Sequence, residues 1–179
     1  MNLVQTQEKN AFDALKAKFG YTNAMQAPKV MKAVISTGTG KIHDKGKLEV
    51  VQDRLARITG QKTAPRGAKK SIASFKVRQG DTVGYQVTLR GARMYDFLEK
   101  LIHVALPRTR DFRGLKASAI DEMGNMTIGI KEHTIFPETS DEDLRDVFGF
   151  AVTVVSSAKN RAEAEAFYRH LGFPLQKPA

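Results

Sequence analysis

IASFKVRQGDTVGYQVTLR, residues 72–90, is the stretch on which the fold class turns. Ile72 to Arg78 and Val83 to Arg90 are two runs of alternating character, separated by a turn that contains Gly80 and Asp81. That pattern predicts a β-hairpin. Side chains alternate along a strand, so Tyr85, Val87 and Leu89 point one way while Gln86, Thr88 and Arg90 point the other. Asn125 to Lys131 repeats the arrangement, with Met126, Ile128 and Ile130 opposed to Asn125, Thr127, Gly129 and Lys131. One sheet face is therefore expected to be apolar and covered by helices. The other meets water or RNA, and its uncharged polar and basic residues suit phosphates and 2′-hydroxyls. An ordinary solvated sheet face has the same look.

Outward from the hairpin, helical and strand spacings interleave without an internal repeat. Glu8 to Phe19 places Ala11, Phe12, Leu15 and Phe19 on one helical face, with Gly20 where the helix stops. Lys47 to Ile58 does the same through Leu48, Val51, Leu55 and Ile58, ending at Gly60. Met94 to Leu106 reads as a helix closed by Pro107, and Arg161 to Leu171 as one stopped by Gly172 and Pro174. Val30 to Thr37 and Phe150 to Ser157 read as strands. The expected order is α, β, α, β, β, α, β, α, β, α. The fold class is α+β: a mixed, mainly antiparallel sheet packed on one face by helices, its other face polar and RNA-facing, with a protruding basic hairpin loop. Residues 1–179 are expected to form a single RNA-binding domain.

Charge narrows the class of partner. The formal net charge is +10, and between Lys62 and Lys116 thirteen Lys and Arg face four acids, while the rest of the chain nearly balances. A basic excess gathered in one third of the chain points to a polyanion, because Lys and Arg gain affinity by releasing counterions from phosphates. A basic face kept for solubility is the plain alternative. The absence of cysteine excludes disulfides, thiolate nucleophiles and cysteine-ligated zinc. No run of eighteen apolar residues and no secretory layout at the N-terminus are present, so a soluble cytoplasmic protein without a membrane partner is expected.

Catalytic readings fail on spacing. Ser36, Thr37, Gly38, Thr39, Gly40 and Lys41 resemble a phosphate cradle, but Ile35 stands where a P-loop needs its first glycine and Ile42 where it needs Ser or Thr. A dinucleotide fingerprint would need glycine at His43. A turn that brings amides to an RNA phosphate and a plain turn both remain open. His43, His103, His133 and His170 show no metal-ligand spacing, so exposed or core histidines are expected, with no metal and no cofactor. Glu138, Asp141, Glu142, Asp143 and Asp146 look like a carboxylate cluster, yet Ser140 followed by Asp143 has the capping-box pattern that opens a helix. A Ser36, His43 and Asp44 set is of the kind that arises by chance. No catalytic residue is assigned, and an RNA-binding protein that is not an enzyme is the reading. A nucleotide-using RNA enzyme built on Ser36 to Lys41 and a general single-strand RNA chaperone are the alternatives.

Longer motifs make the reading specific. Ala68 to Leu115 contains KVRQG, VTLRG and RDFRGL, and it is accompanied by ITGQK at Ile58 to Lys62, GNMTIGIKEHTIFPE at Gly124 to Glu138 and LGFP at Leu171 to Pro174. Together these resemble, over roughly nine tenths of the chain, the bacterial form of the family of the fifth protein of the large ribosomal subunit. The resemblance implies a cytoplasmic protein of the ribosome that binds 5S rRNA in the central protuberance. It also implies contacts with large-subunit rRNA, P-site tRNA, neighbouring 5S-associated proteins and a protein of the small-subunit head.

By motif position, the resemblance puts Ser36, Gly38, Gly40, Gln61, Lys62, Phe75, Thr88 and Arg90 on the 5S rRNA surface. Lys69, Lys70, Lys76 and Arg78 fall in the loop that approaches tRNA, and Arg108, Arg110 and Arg113 in the region linked with the inter-subunit bridge. Family members usually carry Asn at the position of Ser36, whose single hydroxyl replaces an amide with separate donor and acceptor. Phe75 shares a strand face with Ala73 and Val77 in this reading, so a core position and an RNA contact are both open. Gln61 is also compatible with closing a turn, and Lys69 and Lys70 with a solvated pair that orders on RNA.

Overall fold

The computed structural model describes residues 2–40, 42, 44–140 and 147–176. Lys41, His43 and the acidic run 141–146, where a helix is expected behind Ser140, lie outside the described residues. The elements are α1 (Leu3–Phe19), β1 (Val30–Gly38), α2 (Lys45–Thr59), β2 (Ala64–Gly67), β3 (Thr82–Leu89), α3 (Ala92–Lys100), β4 (Met126–Ile130), β5 (Phe150–Ser156) and α4 (Arg161–His170). The strands form one antiparallel sheet in the order β2-β3-β1-β5-β4.

Helix boundaries follow local chemistry. In α2 the side chains of Val51, Leu55 and Ile58 are buried, one apolar stripe at helical spacing. The helix begins two residues earlier than its apolar pattern because Asp44 caps it, the carboxylate accepting from Gly46 N–H at 3.0 Å. It ends at Gly60, whose φ of 65° is left-handed and whose N–H returns to Ala56 O. Helix α3 runs through Met94, Phe97 and Leu98 and then widens into a π turn over Leu101–Ala105, where Leu106 N–H donates to Leu101 O at 2.9 Å. The widened turn keeps Leu101, Ile102, Ala105 and Leu106 buried before Pro107.

The hairpin is real, but its first strand is not the expected one. The partner of β3 is β2, with Ala64 opposite Gln86, Pro65 opposite Tyr85 and Arg66 opposite Gly84, and a bulge between Arg66 and Gly67. Ile72 to Arg78 instead belongs to an excursion from Ala68 to Asp81. Within it Ile72 and Val77 form a single bridge around a 3-10 turn at Ala73–Phe75. The apolar face that Ala73, Phe75 and Val77 would make in a strand finds nothing to pack on, since Ala73 and Phe75 are exposed and Val77 is only half-buried, so strand pairing here would bury little. Ala64–Gly67 carries no strand signature because it is an exposed edge, where proline is tolerated and side-chain burial contributes nothing. Phe75 therefore shares no strand face with Ala73 and Val77, and the core reading of its ring falls: it is 69% exposed.

Two compact units are formed. One comprises the N-terminal stretch to Ala33, Leu89–Ile128 and the C-terminal stretch from Thr153. There α1 packs on α3 and α4, and Leu15, Phe97, Leu98, Met126, Val154 and Phe167 are in the core. Tyr21, buried, donates its hydroxyl to the buried Glu163 carboxylate, which also accepts from Lys159 N–H at 2.8 Å. The other unit comprises Val34–Thr88 and Gly129–Val152. Its core is Ile35, Leu55, Ile58, Val87, Phe136 and Phe150, with the His133 ring stacked on Phe148 at 4.5 Å. His133 is thus a core histidine: Arg54 Nη1 donates to its Nε2 at 3.2 Å.

Burial alternates along the strands as expected. Tyr85, Val87 and Leu89 are buried and Gln86 and Thr88 half-buried on β3, while Met126, Ile128 and Ile130 are buried and Thr127 and Gly129 exposed on β4.

Candidate nucleic-acid interface

The second unit holds most of the residues expected to meet 5S rRNA. Strand β1 leaves the sheet through Ser36, Gly38 and Gly40, and Thr39 N–H donates to Val83 O at 2.9 Å across to β3. Counting back along the two antiparallel strands from that bond sets Ser36 beside Gln86. Strands β1 and β3 approach so closely here that a Cβ on Gly84 would lie 2.5 Å from Thr37 O. Glycine is therefore required at 84 by the chain's own packing. Gly38 differs: a Cβ there would meet nothing within 4 Å, and its φ lies outside the left-handed range. At Gly40 the nearest atoms would be those of Val83, at 3.9 Å and beyond.

Past α2, the TGQK turn is tied to the same sheet. Thr59 Oγ1 donates within its turn, to Leu55 O at 2.7 Å and more weakly towards Gln61 O at 3.1 Å. Gln61 Nε2 then reaches Thr88 O at 3.3 Å. The side chain is held against β3, and its Oε1 has no partner among the described residues. Thr88 stands half-buried with its hydroxyl likewise unpartnered there. Arg66 Nε donates to Gln86 Oε1 at 2.6 Å, which adds a cation from β2 to the polar face. Ser36, Gln61, Gln86 and Thr88, with Arg66 beside them, thus form one polar surface within this unit. Lys62 is exposed at the end of the turn. Sequence reasoning missed Arg66 because β2 was not recognisable; the polar alternation of β3 was the only signal for Gln86.

Phe75 lies in the loop that leaves the Thr82 end of β3, the end at which Thr39 N–H meets Val83 O. That loop also carries Lys69, Lys70, Lys76 and Arg78, all exposed. It is braced at its base. Ala68 N–H donates to Asp81 O at 2.8 Å and Gly80 N–H to Ala68 O at 3.0 Å. The Asp81 carboxylate accepts from Arg78 N–H at 2.8 Å, and Ser71 Oγ accepts from Gln79 N–H at 2.9 Å. Lys76 is left-handed, with φ of 52°, and turns the chain back immediately after the phenyl ring.

The remaining expected residues lie in the first unit. Arg90, exposed, follows the last residue of β3. Arg108, Arg110 and Arg113 are exposed in the loop after the π turn, where Asp111 has φ of 54°. The foot of that loop is pinned by the C-terminal segment. Leu115 N–H donates to Pro174 O at 2.7 Å and Gln176 Nε2 donates to Arg113 O and Gly114 O, both at 3.3 Å.

The arrangement presents donors, acceptors and cations on one polar surface. Comparisons with known proteins give the family. Residues 23–78 match the family described as "Ribosomal protein L5", and residues 82–175 match the C-terminal region of the same ribosomal family. The chain is 43% identical over 176 residues to "Large ribosomal subunit protein uL5" of Anaeromyxobacter sp. (strain Fw109-5), covering 98% of each chain. It is 45% identical over 175 residues to the protein of that name from Pelobacter propionicus, covering 97% of this chain and 98% of the relative. With that of Ureaplasma urealyticum serovar 10 it shares 48% over 164 residues, 91% of this chain and 89% of the relative. Matched over nearly its whole length, the chain belongs to the ribosomal protein L5 family, a family of structural and non-enzymatic proteins.

Proposed function

We propose that this chain is a structural constituent of the large ribosomal subunit that binds 5S rRNA in the central protuberance through the polar surface of Ser36, Gln61, Thr88 and the Gly38 to Gly40 turn, with Lys62 and Arg90 supplying charge. The observation that carries the reading is the bond from Gln61 to Thr88 O, which presets two separate motifs, TGQK and VTLRG, on one surface in the free chain. A preset surface loses little side-chain freedom on binding. Its hydroxyls and amides match the 2′-hydroxyls and sugar edges that RNA displays in its wide minor groove. The basic middle third supplies the sequence-independent attraction. The partition is therefore simple: cations set affinity, and the polar surface sets register.

The braced basic loop from Ala68 to Asp81 is the contact with P-site tRNA in this reading. Arg108, Arg110 and Arg113 face the small-subunit head, and neighbouring 5S-associated proteins and large-subunit rRNA complete the partners. A gel-shift series of the purified chain with 5S rRNA and tRNA across salt tests the 5S part. Thr88→Ala keeps the backbone acceptor of Gln61 and removes only the hydroxyl, so a loss of about five-fold for 5S rRNA is expected, in line with roughly 1 kcal/mol for one hydrogen bond. Arg90→Ala should lower the salt slope by about one. If 5S rRNA and tRNA bind alike and weaken together with salt, the chain is a general RNA binder and the surface assignment is wrong.

A further inference from the structure

We propose that Arg66 and Gln86 form a preset clamp for one backbone phosphate of the RNA on the sheet surface, with Gln86 as the positioning residue that aims the guanidinium. The inference deepens the 5S rRNA reading and rests on it. Arg66 stands on β2 directly opposite Gly84 of β3, which offers no side chain, so the arginine crosses diagonally to the next residue on that face. There its Nε donates to Gln86 Oε1 at 2.6 Å. On the far side of Gln86, the register of β1 and β3 sets the half-buried Ser36. Arg66, Gln86 and Ser36 thus make one row across three adjacent strands, all within the second unit.

Which atoms are engaged decides what the row can do. The bond uses the inner nitrogen of the guanidinium and leaves Nη1 and Nη2 without a partner among the described residues. No carboxylate pairs with Arg66 there; an amide carbonyl holds it, so its positive charge is aimed without being cancelled. The free fork of Nη1 and Nη2 matches two oxygens of a phosphate. Base edges that only accept hydrogen bonds lie in the deep major groove of A-form RNA, where side chains do not reach, whereas its phosphates are open to solvent. As a stabilising contact the pair has little to do, since Arg66 is exposed on an edge strand and Gln86 half-buried. What the bond achieves is to fix a long, flexible cation before the ligand arrives, which lessens the side-chain freedom lost on binding.

Binding of the full chain to 5S rRNA across a salt series separates charge from aim. Arg66→Ala should lower affinity about ten-fold and the salt slope by about one. Gln86→Leu keeps the cation and removes only its anchor, so affinity should fall about five-fold with the slope unchanged. Arg66→Lys, which retains the charge without the planar fork, should behave like Gln86→Leu. In the double variant Arg66→Ala with Gln86→Leu, the loss should stay well below the product of the two single losses, because an absent guanidinium cannot be aimed. A Gln86→Leu protein that binds like wild type overturns the proposal, as does an unmoved slope in Arg66→Ala or a double variant whose losses multiply. If any of these occurs while Thr88→Ala still weakens 5S rRNA binding, the clamp alone falls. If Thr88→Ala is without effect as well, the sheet-surface reading falls first and the clamp with it.

Discussion

Substituting alanine for Gly38 separates what the chain needs in order to fold from what it needs in order to bind. Glycine within or at the end of a strand costs about 0.5–1 kcal/mol relative to alanine, because more backbone freedom is lost on folding. The added methyl at 38 would meet nothing within 4 Å, and the backbone there is one that any residue adopts. Gly38→Ala is therefore expected to stabilise the free protein by about that amount, a rise in Tm of roughly 1–4 °C for a chain of this size. If glycine stands there because an RNA backbone comes close, the same methyl must be accommodated at an RNA contact, at a cost of about 1–3 kcal/mol, or about five-fold to more than one hundred-fold in 5S rRNA affinity. Gly84→Ala is the control. Its methyl would sit 2.5 Å from Thr37 O, a backbone atom that cannot move away cheaply, so the variant should lose stability outright. Thermal unfolding and 5S rRNA binding measured on both variants decide the matter. A Gly38→Ala protein that is less stable, or that binds 5S rRNA as tightly as wild type, refutes the reasoning.

Other consequences lie in the first unit. Tyr21→Phe removes a donor from the buried Glu163 carboxylate and leaves Lys159 N–H to serve it; a loss of about 1.5–3 kcal/mol in urea unfolding is expected, and an unchanged midpoint would show that the pair contributes nothing. Burial first, and then the hydrogen bond to Glu8, pushes the Tyr95 hydroxyl up to about 12, and burial pushes Tyr168 up to about 12. Unfolded tyrosine titrates near ~10, so the folded chain holds these protons more tightly: their contribution is fully present below about pH 10 and is lost as pH rises towards 12. Unfolding measured across that alkaline window should show stability falling, and a flat profile would contradict the assignment.

Much of this architecture is legible in the amino-acid sequence alone. The stripe of Val51, Leu55 and Ile58 announces α2, the alternation of Tyr85, Val87 and Leu89 announces β3, and the sum of Lys and Arg between 62 and 116 announces a polyanion. Such features are local: helix and strand periods are written in the spacing of neighbouring residues, and charge adds up without reference to shape. The RNA-binding class and the family motifs are within reach for the same reason.

Only the tertiary structure decided which segment completes the hairpin. Ala64–Gly67 has neither β-branched residues nor an apolar face, and it is a strand solely because β3 offers hydrogen bonds at the right register. Once that pairing is made, Ile72 to Arg78 is displaced into a loop, Phe75 is carried out of any core, and Gln61 is set against Thr88. The different needs of Gly84 and Gly38 come from the same source, since one faces a neighbouring strand and the other faces open space. Pairing between strands is a contract between distant residues, and its free energy depends on partners that no local pattern names.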